Sequence, residues 1–143
     1  MSIRVEALST SVVESLQKGE PDSYGNLPEQ KISGGTGVPC RHCLQQVAAG
    51  KPYLIVAHRP FTSVQPYAET GPIFIHAEPC ERACADTHLP DRLSSDHYIV
   101  RGYDSEERIV YGTGDVVATE DIPSYSKKLL SQPNIEFIHV RSA

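Results

Sequence analysis

Apolar residues fall at near-helical spacing at the start of the chain and gather into short runs after it. Ile3, Val5, Leu8, Val12, Val13 and Leu16 follow the first of these patterns, and Gly19 supplies a stop. Residues 10–18 therefore read as a short helix with Ser9 or Thr10 as its N-cap, preceded by an extended segment over 3–7. Residues 20–39 are polar and rich in Gly, Pro, Ser and Asn, which predicts a long loop or arm.

Beyond this arm the chain breaks into strand-like runs separated by turn residues. Residues 53–58 end at Arg59-Pro60, and residues 73–76 follow Gly71-Pro72. Residues 96–101 close at Gly102, and the runs 108–111 and 115–118 flank Gly112-Thr-Gly114 as a predicted hairpin. Residues 124–130 read as a second helix ended by Gln132-Pro133, and residues 135–140 as a last strand. The alternation of strands and helices that marks a doubly wound fold is missing. The expectation is one α+β domain over residues 1–143, mainly antiparallel sheet with one or two short helices.

Composition narrows the function classes. The chain has 143 residues, a hydrophobic share of 39% and no tryptophan, which suits one modest core. Net charge is −5, and the basic residues are scattered, so a nucleic-acid face is unsupported. No apolar run approaches the ~18 residues that a membrane span needs, and the first residues do not read as a signal peptide. A soluble, cytoplasmic protein is expected, with its four cysteines reduced unless they hold metal or do chemistry. Oligomeric state leaves no mark in the sequence.

The chemistry-bearing residues cluster in two stretches. Pro39-Cys40-Arg41-His42-Cys43 has the C-x2-C spacing that lets both sulfurs of one turn reach a tetrahedral Zn²⁺. Cys80-Glu-Arg-Ala-Cys84 is a C-x3-C pair, and His76, four residues before Cys80, is an alternative to Cys84 as the fourth ligand. The candidate metal set is Cys40, Cys43, Cys80 and Cys84, with zinc as the cofactor it would suit. Inert thiols filling a core explain the same residues. A thioredoxin-like site is a weaker reading, because the motif follows a loop rather than a strand that opens a helix. Gly34-Gly-Thr-Gly37 lacks the Gly-Lys-Ser/Thr ending of a phosphate loop.

The second stretch is Tyr67-Ala-Glu-Thr-Gly-Pro-Ile-Phe-Ile-His76. Glu69 and His76 would make an acid/base pair if the Gly-Pro turn joined them. A wet tyrosine hydroxyl and a surface carboxylate are the plainer alternatives.

Pro39-Cys40-Arg41, Pro66-Tyr67-Ala-Glu-Thr-Gly-Pro-Ile-Phe-Ile-His76, Arg101-Gly-Tyr103 and the closing Ile138-His139-Val140-Arg141 resemble the DUF1203 family of small bacterial proteins of unknown function. The resemblance runs from about Ile3 to the end of the chain. It implies no activity. It does imply that Cys40, Arg41, Tyr67, Gly71, Pro72, Tyr103, His139 and Arg141 fall on the family pattern. Many relatives keep Pro-Cys-Arg without a second cysteine in the place of Cys43. Relatives also tend to continue past the last strand into a short cysteine-bearing tail, whereas this sequence ends at Ser142-Ala143.

Three functions compete on these grounds. In the first, a binding module recognises a small anionic ligand with Arg41, Tyr67, Glu69, His76, Arg101, His139 and Arg141, the arginines acting through bidentate hydrogen bonds. In the second, an enzyme uses a Cys/His/Glu site for a reaction the sequence does not name, and its catalytic residues stay unassigned. In the third, zinc stabilises a protein-interaction domain.

Overall fold

The computed structural model describes residues 4–84 and 95–142. Eight elements follow in order. They are α1 (Thr10–Gln17), β1 (Glu29–Ile32), β2 (Pro52–His58), β3 (Gly71–His76), β4 (His97–Tyr103), β5 (Asp115–Ala118), α2 (Ile122–Leu130) and β6 (Phe137–Ser142). The strands form two antiparallel sheets of three, ordered β1-β2-β3 and β5-β4-β6. The fold is mixed α+β and mostly sheet. Among the described residues no helix is long and apolar enough to cross a membrane. The described chain divides into two compact units, residues 6–60 with 69–84 and residues 4–5 with 61–68 and 95–142.

The N-terminal unit is built on β2, whose inward residues Leu54 and Val56 are buried with Ile75 of β3. Helix α1 lays Val13 and Leu16 on this sheet, and Val38, Cys40 and Val47 complete the core. A fully buried Val or Ile contributes roughly 1.5–3 kcal/mol each, so this cluster dominates the stability of the unit. On the outer face Tyr53 and Phe74 meet edge to face, with ring centroids 5.5 Å apart. Helix α1 ends where the sequence predicts, since Gly19 takes the left-handed conformation (φ 92°) and its N–H bonds the Leu16 carbonyl.

Three expectations need refinement. Of residues 4–7 in the predicted N-terminal strand only Val5 makes a β-bridge, and Ile3 lies outside the described residues. Within residues 20–39, Glu29–Ile32 forms an edge strand against β2. All four of its side chains are exposed, so it has none of the alternation that announces a strand. Ahead of it, Asp22 ties the loop down by accepting the N–H groups of Tyr24, Asn26 and Ala57 at 2.9, 3.1 and 3.0 Å. These bonds, the one from Ala57 foremost, hold its carboxyl below the usual range.

The third refinement concerns the C-terminal unit. Runs 108–111 and 115–118 were expected to pair with each other. Instead both lie along one edge of β4. Ile109 bridges Tyr103, Val110 N–H reaches the Gly102 carbonyl, and β5 pairs with His97–Val100 farther along. Gly112-Thr-Gly114 is thus an outward bulge in one interrupted edge strand. Thr113, buried at its root, accepts the Gly102 N–H at 3.0 Å and donates to the Val110 carbonyl at 2.5 Å. Strand β6 takes the other edge of β4, and α2 covers one face with Ile122 and Leu129 against Tyr98, Val100 and Val117.

The bulge needs a residue without a side chain at Gly102, where a Cβ would stand 2.9 Å from Ile135 Cδ1 and 3.2 Å from Thr113 Oγ1. Gly102→Ala should therefore lower unfolding stability by about 1–3 kcal/mol through overpacking, measured by urea denaturation.

Candidate metal centre

The site grows from a local turn. Val38-Pro-Cys-Arg-His-Cys-Leu-Gln-Gln-Val47 folds back on itself through Val47 N–H to the Val38 carbonyl and Cys40 N–H to the Gln45 carbonyl, both 2.9 Å. Pro39 and Gln46 bridge between them, and Leu44 N–H returns to the Cys40 carbonyl at 2.9 Å. Leu44 makes the reversal at a φ of 59°, a conformation costing a non-glycine residue about 1 kcal/mol or more. The result is a knuckle with Cys40 and Cys43 on the same side. It docks on β3, where Arg41 N–H bonds the Phe74 carbonyl at 3.0 Å and His76 N–H approaches the Cys40 sulfur at 3.4 Å.

Strand β3 delivers the next candidate ligand at its last residue. His76 Nδ1 lies 3.5 Å from Cys43 Sγ. The chain then bends at Ala77-Glu78 and brings Cys80 Sγ to 4.0 Å from Cys40 Sγ. Helix α1 sets the path of this bend, because Gln17 Nε2 donates to the carbonyls of His76 and Glu78, each at 2.9 Å. One ligand atom from each of Cys40, Cys43, His76 and Cys80 lies within 4.8 Å of all the others. Around a tetrahedral zinc with bonds of about 2.3 Å to sulfur, ligand atoms stand about 3.8 Å apart. Small side-chain adjustments separate the two arrangements.

Electrostatics point the same way. Burial pushes the Cys80 thiol up to about 12, and the neighbouring Cys40 and Cys43 add to the shift. Burial likewise raises Cys43, and burial lowers His76. Cys43 and Cys80 resist ionising, and the imidazole favours its neutral, metal-ligating form. A bound divalent cation would invert the first tendency by compensating the gathered negative charge. Two backbone N–H groups already face the sulfurs, His76 N–H to Cys40 and Gln45 N–H to Cys43, and His42 Nδ1 lies 3.1 Å from Cys80 Sγ. His42 is 2% exposed, and its Nε2 is 2.9 Å from Thr10 Oγ1.

The other expected site residues are distributed as follows. Cys84 is exposed and outside the close set, whose fourth member is His76. Arg41 sits half-buried in the knuckle, and Glu69 belongs to the same unit. Tyr67, Arg101, His139 and Arg141 belong to the C-terminal unit. There Tyr67 Oη meets Tyr111 Oη at 2.5 Å, and the Arg108 guanidinium lies 5.7 Å from the Tyr67 ring centre. Arg101 stands opposite His139 in the β4–β6 ladder, and Arg141 opposite Ile99. His139 packs among Phe61, Tyr103 and Phe137 at ring-centroid distances of 4.8–5.2 Å.

The model of a family described as "Protein of unknown function (DUF1203)" matches residues 37–143, a span that takes in all four close-set residues. The chain belongs to the DUF1203 family. No curated protein and no solved structure matches the chain.

In the sequence His42 is only part of the C-x2-C stretch and Thr10 only a candidate helix cap, and Gln17 carries no mark. Thr10 and Gln17 stand 32 and 59 residues from the partners they bond, so no local pattern connects them to the site of this DUF1203 chain. Gln17→Leu should cost about 1 kcal/mol of stability by leaving the two bend carbonyls without their donor. It should also loosen any metal held at His76 and Cys80, and paired urea-unfolding and metal-competition titrations read both effects.

Proposed function

We propose that this DUF1203 chain is a zinc-stabilised binding module whose Cys40, Cys43, His76 and Cys80 form a structural Cys3His centre. The single observation behind this reading is the mutual approach of four ligand atoms within 4.8 Å. Thiolates with an imidazole select zinc over hard cations such as magnesium or calcium. Four protein ligands fill a tetrahedral shell, leaving no open position for water, which is the pattern of structural rather than catalytic zinc. Such a centre would clamp the knuckle, the end of β3 and the bend after it, and metal binding would supply folding energy.

A second reading concerns the C-terminal unit. Arg101 and His139 are cross-strand partners, and Arg141 lies two residues along β6 on the same sheet face. Two arginines and a histidine at neighbouring positions of one sheet face suit a carboxylate or phosphate, so the module's ligand would be a small anion.

Protein purified without chelator or nickel resin should carry about one zinc per chain. Chelator should lower its thermal midpoint, and added zinc should restore it. Cys43→Ser, Cys80→Ser and His76→Ala should each lose the metal, and Cys84→Ser should keep it. Metal-free protein with four freely titrating thiols would end the zinc reading, and loss of zinc from Cys84→Ser alone would overturn the ligand set. For the second reading, inorganic phosphate should raise the thermal midpoint of the wild type and not that of Arg101→Gln or Arg141→Gln. Equal responses in all three would reject it.

A further inference from the structure

A buried histidine that is not one of the four close ligands touches the centre. His42 occupies the knuckle between Cys40 and Cys43, 2% exposed, with Nδ1 3.1 Å from Cys80 Sγ. Its other nitrogen, Nε2, is 2.9 Å from Thr10 Oγ1 in the first turn of α1. Both ring nitrogens are therefore engaged, one by a sulfur and one by a hydroxyl. The close set of ligand atoms is Cys40, Cys43, His76 and Cys80, and His42 is not a member.

The sulfurs differ in where their N–H donors come from. Cys40 faces the backbone N–H of His76, and Cys43 that of Gln45. Both are supplied by the ladder and turn that build the site. Cys80 lies beyond the end of β3, in a stretch with no regular backbone ladder, and faces a side chain instead. Three thiolates on one Zn²⁺ leave the centre with a net negative charge, and N–H donors spread that charge away from the sulfurs. A thiolate can only accept, so Nδ1 must carry the proton, and Nε2 is then left to accept from the Thr10 hydroxyl. The thiolate thereby sets the tautomer, and the threonine, whose hydroxyl can donate, holds the ring orientation.

We infer that His42 is a positioning residue of the metal centre, oriented by Thr10 and donating its Nδ1–H to the Cys80 thiolate. The inference rests on the zinc reading above. It adds a function for two residues that bind no metal themselves. It also makes α1 part of the site's outer shell at both ends, through Thr10 and through Gln17.

The test compares His42→Leu, His42→Asn and Thr10→Val with the wild type. Leucine matches the volume of histidine and has no donor. Asparagine places an amide N–H near the position of Nδ1. Two quantities are measured: zinc affinity by competition with a chromophoric chelator, and the sulfur-to-metal charge-transfer band of the Co²⁺-loaded protein. His42→Leu should weaken zinc by about 10–100-fold, the usual cost of losing an outer-shell partner. It should also move the band to lower energy, since a sulfur without its donor is more electron-rich. His42→Asn should recover most of the affinity and return the band toward its original position. Thr10→Val should shift both in the direction of leucine, by less.

Unchanged affinity and band in His42→Leu would overturn the inference. Equal impairment by leucine and asparagine would also overturn it, assigning His42 to packing alone. Complete loss of metal from both would make His42 a ligand, again contrary to the inference. If His42→Leu does not fold, His42→Asn and Thr10→Val still decide, because an unshifted band in Thr10→Val removes the proposed anchor. Failure of the wild type to bind zinc or cobalt is a separate result that removes the zinc reading and this inference with it.

Discussion

Three sulfurs and an imidazole held within 4.8 Å of one another are costly for a half-buried region, and the N-terminal unit is organised around that cost. Thiols in this setting resist ionisation, as the upward shift of Cys80 to about 12 makes plain. Ordinary core packing would spread such groups apart or replace them with aliphatic residues. Here they converge, and a backbone N–H and an imidazole nitrogen turn toward them. The arrangement would become favourable with a divalent cation to compensate the sulfurs. The knuckle, the docking of Arg41 on Phe74 and the Gln17 clamp on the bend are the means by which the chain holds the groups in place.

The division of labour between backbone and side chain follows from where each ligand sits. Cys40 and Cys43 occupy a tight turn whose hydrogen bonds position both sulfurs without outside help. His76 ends a paired strand, opposite Tyr53. Cys80 follows an irregular bend, and it is here that side chains from α1 and the knuckle take over the bonding. In the C-terminal unit the same principle appears at Gly102, where a threonine hydroxyl occupies the place of a missing ladder partner in a bulged edge.

Much of this was legible in the sequence. Periodicity placed α1 and α2 to within a few residues, and the Val/Ile-rich runs located β2 to β6, because each buries a face that must be apolar. C-x2-C spacing singled out Cys40 and Cys43, and His76 stood out as an alternative to Cys84 because it lies four residues before Cys80. What stayed hidden had physical causes. Strand β1 is exposed along its whole length, so nothing in its composition distinguishes it from the loop around it. The runs at 108–111 and 115–118 look like a hairpin because Gly-Thr-Gly is good turn chemistry, yet β4 offered both of them a longer partner. The supporting roles of Thr10, Gln17 and His42 depend on contacts between residues 32 to 61 positions apart, which no short-range rule reaches.

The local closure of the knuckle also bears on the order in which the unit assembles. Its bonds span four to nine residues, from Cys40 to Leu44 and Gln45 and from Val38 to Val47. Its two sulfurs can therefore be paired before any sheet exists, whereas His76 and Cys80 must wait for β2 and β3 to find their register. A metal ion captured early by the first pair would tether the nascent chain at one end of a loop still unclosed. The centre would then act as a folding nucleus as well as a finished clamp.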